Sequence, residues 1–192
     1  MNIPNQLTLA RLVLTMVVLG ISTIEPTADG SHLFWWRIGL VLAAIAGITD
    51  LLDGWIARRY NLVTTFGKLI DPLADKVFTV SCYVILTEHR LCPAWVTVAI
   101  LTREFAVTGL RSIAISKGRV IAAVTIGKWK TALQMGGLFI GGLFWVELVP
   151  GGDHMGGPAW WPYLLYFIAI FTLYTGWAYF WTNRDMVFDE DL

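Results

Sequence analysis

Apolar residues along this chain run in long blocks instead of alternating with polar ones at the period of a half-buried strand or a surface helix. A helix needs roughly 20 mostly apolar residues to cross a bilayer. Six stretches reach that length: Leu7 to Ile24, Trp35 to Ala57, Lys68 to Thr87, Pro93 to Ile115, Thr131 to Val149 and Trp160 to Thr182. The segments around them hold residues that interrupt helices, namely Pro26 and Gly30, Asn61 and Gly67, Pro93, Gly118, and the run from Pro150 to Pro158. Tryptophans gather at the block ends (Trp35, Trp36, Trp95, Trp145, Trp160, Trp161, Trp181), where their amphipathic rings suit the headgroup level. The pattern predicts an all-α integral membrane bundle of six transmembrane helices, forming one domain over residues 1–192.

Composition agrees: 56% of the 192 residues are apolar, 15% are charged, and the mean hydropathy is +0.63, greasier than an ordinary soluble domain. Lys plus Arg equals Asp plus Glu, so the basic excess that would argue for nucleic acid is missing and membrane lipids are the expected surroundings. Charge becomes informative by position. One set of block ends holds Arg11, Arg58, Arg59, Lys68, Lys76, Arg111, Lys117, Arg119, Lys128, Lys130 and Arg184, whereas the other holds only Arg37 and Arg90. The positive-inside rule then puts both termini in the cytoplasm. The first 22 residues have neither a basic start nor a small-residue cleavage site and read as a retained helix. Cys82 and Cys92 lack metal-ligand spacing, and His32, His89 and His154 fall singly, so both sets are read as structural. Gly137 and Gly141 can seat a neighbouring helix closely, either inside the bundle or across a dimer.

Against this background four aspartates stand out, Asp50 and Asp53 in the second block and Asp71 and Asp75 in the third. Each costs about 2.5–3.5 kcal/mol at mid-membrane. The first pair is spaced i, i+3 and the second i, i+4, so each pair shares a helix face. A short connection makes the two helices antiparallel neighbours, on which four carboxylates can converge. Such a cluster repels itself unless cations sit among its members, and an all-oxygen set suits Mg²⁺ or Mn²⁺ better than zinc. Asp50 lies roughly 12 Å along the helix from Arg58, in the cytoplasmic half. Gly54 and Ala57 leave a bare backbone groove there, with Arg58 and Lys68 at its mouth. Pro72 frees the carbonyl of Lys68 and predicts a local kink. Two other readings of the carboxylates are an ion network with Arg58, Arg59, Lys68 and Lys76, and the acidic path of a cation channel or carrier. Clustering at one end of the bilayer, with no acidic series crossing it, counts against the latter.

The run DLLDGWIARRYNLVTTFGKLIDPLAD, from Asp50 to Asp75, resembles the defining motif of CDP-alcohol phosphotransferases, D-x2-D-G-x2-A-R-x8-G-x3-D-x3-D. Every fixed position matches: Asp50, Asp53, Gly54, Ala57, Arg58, Gly67, Asp71 and Asp75. The resemblance extends to the N-terminal NIPNQLTLAR and the six-helix layout. It implies two divalent cations, Mg²⁺ or Mn²⁺, held by Asp50, Asp53, Asp71 and Asp75 across the diphosphate of a CDP-linked donor. It also implies that Asp75 acts as general base or orients the attacking hydroxyl. Gly54, Ala57, Arg58, Thr64 and Gly67, with Pro4, Asn5 and Thr8, would contact the CDP moiety.

Two further segments, TREFAVTGLR from Thr102 and GKWKTALQM from Gly127, resemble bacterial phosphatidylglycerophosphate synthases. That resemblance implies CDP-diacylglycerol as donor, sn-glycerol 3-phosphate as acceptor, a bacterial cytoplasmic (inner) membrane with the site facing the cytoplasm, and a homodimer. Arg103, Arg111, Arg119, Lys128 and Lys130 are the expected partners of the acceptor's phosphate, with Glu104 holding one of the arginines. Positive-inside topology accounts equally well for Lys117 and Arg119. Sister enzymes taking phosphatidylglycerol, inositol phosphate or serine are the alternatives within the family.

Overall fold

A computed structural model describes residues 3–59, 65–116, 125–149 and 157–184, with side chains at 5–49, 70–114, 127, 129–149 and 157–184. The described residues form six helices: α1 (Ile3–Ser22), α2 (Ser31–Arg59), α3 (Thr65–Glu88), α4 (Ala94–Ser116), α5 (Thr125–Trp145) and α6 (Trp161–Thr182). No β-strand is found among them.

The bundle has an apolar outer surface around a mainly apolar core that also takes in polar side chains. Val13, Met16, Phe34, Val41, Ile45, Phe105, Phe139, Phe167, Ile170 and Trp177 are exposed on its outer surface, while Thr8, Arg11, Thr15, Gln134, Thr172 and Thr175 are buried. In water such a surface would be an aggregation hazard, whereas hydrocarbon tolerates it and forces polar groups inward. Stretches of α1, α2 and α6, namely Asn5–Ser22, Ser31–Thr49 and Trp161–Thr182, are long and apolar enough to cross a membrane by hydropathy alone. Helices α3, α4 and α5 are also long, at 24, 23 and 21 residues. They fall short of the same measure because they carry Asp71, Asp75 and Lys76, then Arg103, Glu104 and Arg111, then Lys128 and Lys130.

Helix α1 lies against both α2 and α3, α6 lies against α4 and α5, and α3 joins the two groups through α4 and α5. Close approach at α5 depends on glycine. A Cβ at Gly137 would fall 2.7 Å from Ile168 Cδ1, and one at Gly141 would fall 2.6 Å from Leu86 Cδ1 and 3.1 Å from Trp161. The glycine pair therefore seats neighbours of its own bundle. At the end of the bundle where α3 and α5 finish, Trp36 stacks on Trp145 at 5.7 Å and meets His32 and His89 edge-on at 4.6 and 4.7 Å. Two of the three histidines expected to stand singly, His32 and His89, are thus gathered around one indole, while His154 lies outside the described residues.

The apolar block expected to continue to Val149 ends as a helix at Trp145. Glu147 turns left-handed (φ 55°), and its N–H bonds Phe144 O at 3.1 Å while Leu148 N–H bonds Leu143 O at 3.0 Å. This is a Schellman stop. Its cause is in the sequence, since the ring of Pro150 would clash with the carbonyl four residues earlier if the helix ran on. The end of α3 is built the same way, with Arg90 at φ 59°, Arg90 N–H on Thr87 O and Leu91 N–H on Leu86 O, ahead of Pro93.

Candidate functional site

Helix spacing puts Asp71 and Asp75 on one face of α3, and both are partly buried. Thr8 of α1 is almost fully buried and donates its hydroxyl hydrogen to Asp71 Oδ1 at 2.6 Å. The N-terminal segment is thereby tied to the carboxylates. Asn5 is buried on the same side of α1, and Arg11, one turn beyond Thr8, is wholly buried. The sequence reading took Arg11 only as a topology charge. Its signal was present as a polar position in register with Asn5, Thr8 and Thr15. Lys76 turns back to the carbonyl of Pro72, 3.3 Å away, and α3 continues through that proline as one helix.

Asp50, Asp53, Gly54, Ala57 and Arg58 belong to the end of α2, and Gly67 to the start of α3. Their side chains, with those of Pro4 and Lys128, lie outside the described ones, and Thr64 and Arg119 lie outside the described residues.

Asp75 also lines an apolar cleft of about 430 Å³ between α2, α3 and α5, whose walls include Leu40, Ala44, Phe78, Cys82 and Met135 and which reaches Trp145. From Asp75 to Leu86, both on its wall, is about 16 Å along α3. That is close to the thickness of one leaflet's hydrocarbon, half of roughly 30 Å.

Between α4 and α5, Glu104 Oε1 accepts from Arg103 Nη1 at 3.3 Å and from Lys130 Nζ. Lys130 is buried, and Asp75 is among the charges that act on it. Glu104 was expected to hold one arginine, and it holds Arg103 and Lys130 together. Arg111 goes elsewhere: its Nε donates to Tyr179 Oη at 3.1 Å, and its guanidinium lies 5.5 Å from that ring's centroid. Among the described contacts, two of the five expected acceptor cations meet.

The family model for CDP-alcohol phosphatidyltransferase matches residues 1–178. The chain belongs to that family. Among similar proteins, the CDP-diacylglycerol--glycerol-3-phosphate 3-phosphatidyltransferase of Bacillus subtilis (strain 168) is 37% identical, with 95% of each chain covered. The protein of the same name from Rickettsia bellii (strain RML369-C) is 34% identical over 93% of each. The chain is therefore a transferase of this family, whose members generally depend on divalent cations. Asp71 and Asp75, the two motif carboxylates with described side chains, fit such a cation: they are hard oxygen donors sharing one face, one of them already oriented by Thr8. Among the described residues no group of three His, Cys, Asp or Glu side chains comes together as a metal site, and the other half of the proposed ligand set lies beyond them.

Proposed function

We propose that this enzyme transfers the phosphatidyl group of CDP-diacylglycerol to sn-glycerol 3-phosphate, giving phosphatidylglycerol phosphate and CMP. The observation that carries the reading is the position of Asp75, which lines an apolar cleft on α3, the helix that packs against α4 and α5 where Arg103, Glu104 and Lys130 meet. A lipid donor and a phosphorylated acceptor must meet at one carboxylate, and this arrangement serves both. The names and close similarity of the relatives support the same substrates.

In this reading Asp50, Asp53, Asp71 and Asp75 hold two divalent cations, which when bound neutralise the diphosphate of the donor. Gly54, Ala57, Arg58, Thr64 and Gly67, with Pro4, Asn5 and Thr8, contact the CDP moiety, while a donor acyl chain enters the cleft. Arg103 and Lys130 take the acceptor phosphate, with Arg111, Lys128 and Arg119 around them. Asp75 orients the acceptor hydroxyl and receives its proton. The hydroxyl oxygen forms the new bond to the phosphatidyl phosphorus, and the bond from that phosphorus to the CMP oxygen breaks. All six helices span the bacterial inner membrane as one domain, with termini and site on the cytoplasmic side.

The test is CMP release by purified protein in detergent with CDP-diacylglycerol and Mg²⁺. Glycerol 3-phosphate, inositol phosphate, serine and phosphatidylglycerol are compared as acceptors. Release with glycerol 3-phosphate alone is expected. Release only with another acceptor would refute the acceptor assignment, and no release from folded protein would refute the reaction.

A further inference from the structure

The cluster at Glu104 has an unusual arrangement of charge for a membrane interior. One carboxylate oxygen serves two cations, and the side chains of Arg103, Glu104 and Lys130 are only 11%, 17% and 7% exposed. A purely structural buried pair matches charges one to one, because an uncompensated buried charge is costly. Here two cations contact one carboxylate, and Asp75 is the further carboxylate that acts on Lys130. Donor capacity is left over. A guanidinium has five N–H donors, and Arg103 Nε is buried with no hydrogen-bond partner among the described residues.

The location of Arg103 is set a second time by shape. Its stem crosses α6 at Gly176, where a Cβ would fall 2.7 Å from Arg103 Cγ and 3.7 Å from Cβ. The atom approached is in the stem and cannot swing away as a side-chain tip can, so any larger residue there displaces the arginine. Glycine is otherwise a poor choice inside a helix, costing about 1 kcal/mol against alanine. Charge therefore fixes Arg103 from α4 and clearance fixes it from α6, while the same carboxylate fixes Lys130 from α5.

Resting on the reaction proposed above, we propose that Glu104 and Gly176 are positioning residues for the acceptor: Glu104 holds Arg103 and Lys130 as a preset pair of cations for a phosphate, and Gly176 provides the space in which Arg103 lies. A preset pair spares the acceptor the cost of ordering two long side chains, which would otherwise be subtracted from binding. The paired cations favour an anionic acceptor, since a phosphate can take donors from both while a neutral alcohol cannot. Neither residue touches the reacting atoms.

The test measures CMP release from the full-length enzyme in detergent while CDP-diacylglycerol and glycerol 3-phosphate are varied separately, for wild type, Glu104→Gln, Glu104→Asp and Gly176→Ala. Thermal midpoints establish that each protein is folded. Glu104→Gln is expected to raise the KM for glycerol 3-phosphate at least tenfold with the KM for the donor within twofold. Glu104→Asp should recover part of that loss, and Gly176→Ala should act in the same direction with no change of charge. An unchanged acceptor KM, or equal rises in both KM values, in folded Glu104→Asp and Gly176→Ala overturns the proposal even if Glu104→Gln does not fold. Wild-type release with glycerol 3-phosphate tests the underlying reaction, so the two ideas fail separately.

Discussion

Replacing Thr8 by valine removes one hydroxyl and almost nothing else. The side chain is 1% exposed and its 2.6 Å bond ends on a carboxylate oxygen, so the bond is short and charge-assisted. Hydrogen bonds to charged groups contribute about 1.5–3 kcal/mol. If Asp71 is a cation ligand, that energy maintains the orientation it needs, and its loss should raise the Mg²⁺ concentration for half-maximal CMP release roughly ten- to a hundredfold. Outer partners of metal ligands have effects of this size in general. The assay is a Mg²⁺ titration at saturating substrates, with Thr8→Ser as the variant that keeps the hydroxyl and should remain near wild type. A folded Thr8→Val protein with the wild-type Mg²⁺ dependence would refute the link between α1 and the carboxylate site.

The other expectations concern the reaction and the scaffold. Asp75→Asn should abolish CMP release while leaving the thermal midpoint near wild type, and wild-type rates would remove Asp75 from the mechanism. Gly141→Ala drives a methyl group to 2.6 Å from Leu86 and should cost about 1–3 kcal/mol by overpacking, read as a lower thermal midpoint in detergent; Gly136→Ala, with nothing within 4 Å of its Cβ, should not. Glu147→Gly relieves a left-handed residue and should stabilise the fold by up to about 1 kcal/mol, seen as a higher midpoint. Burial holds His89 below the ordinary imidazole value, against the opposing effects of its bond to Ser22 O and of Glu88. The unfolded chain thus takes up that proton first as pH falls, so the contribution of His89 is intact above about pH 6.5 and is lost on acidifying through its folded value. Thermal midpoints measured from pH 7.5 to 5 should fall less steeply in His89→Phe than in wild type, and identical slopes would count against the assignment.

Helix number and type were legible because membrane-length blocks leave little choice of secondary structure. Helix ends were less so. Hydropathy runs on unbroken from Trp145 through Val146, Leu148 and Val149, and the turn at Glu147 is imposed by backbone sterics ahead of Pro150, which a hydropathy reading does not register. The motif aspartates stood out for a related reason, since ionised groups in apolar blocks are costly.

What the sequence withheld was which face meets which. Glu104 and Lys130 are 26 residues apart on different helices, and periodicity describes the faces of one helix without saying what each face meets. Arg103 and Arg111 illustrate the consequence: they are eight residues apart on α4 and looked equivalent, yet one joins Lys130 at Glu104 and the other joins Tyr179. Gly176 was silent because its role is the space it leaves. A better rule for such chains inverts the usual one. In hydrocarbon the polar positions of an apolar helix mark its inner face, and reading Asn5, Thr8, Arg11 and Thr15 that way turns α1 toward the carboxylates before any coordinates are known. The same rule applied to α5 selects Lys130 and Gln134, one turn apart and both buried, and so turns the proposed acceptor cation inward from the pattern of one helix.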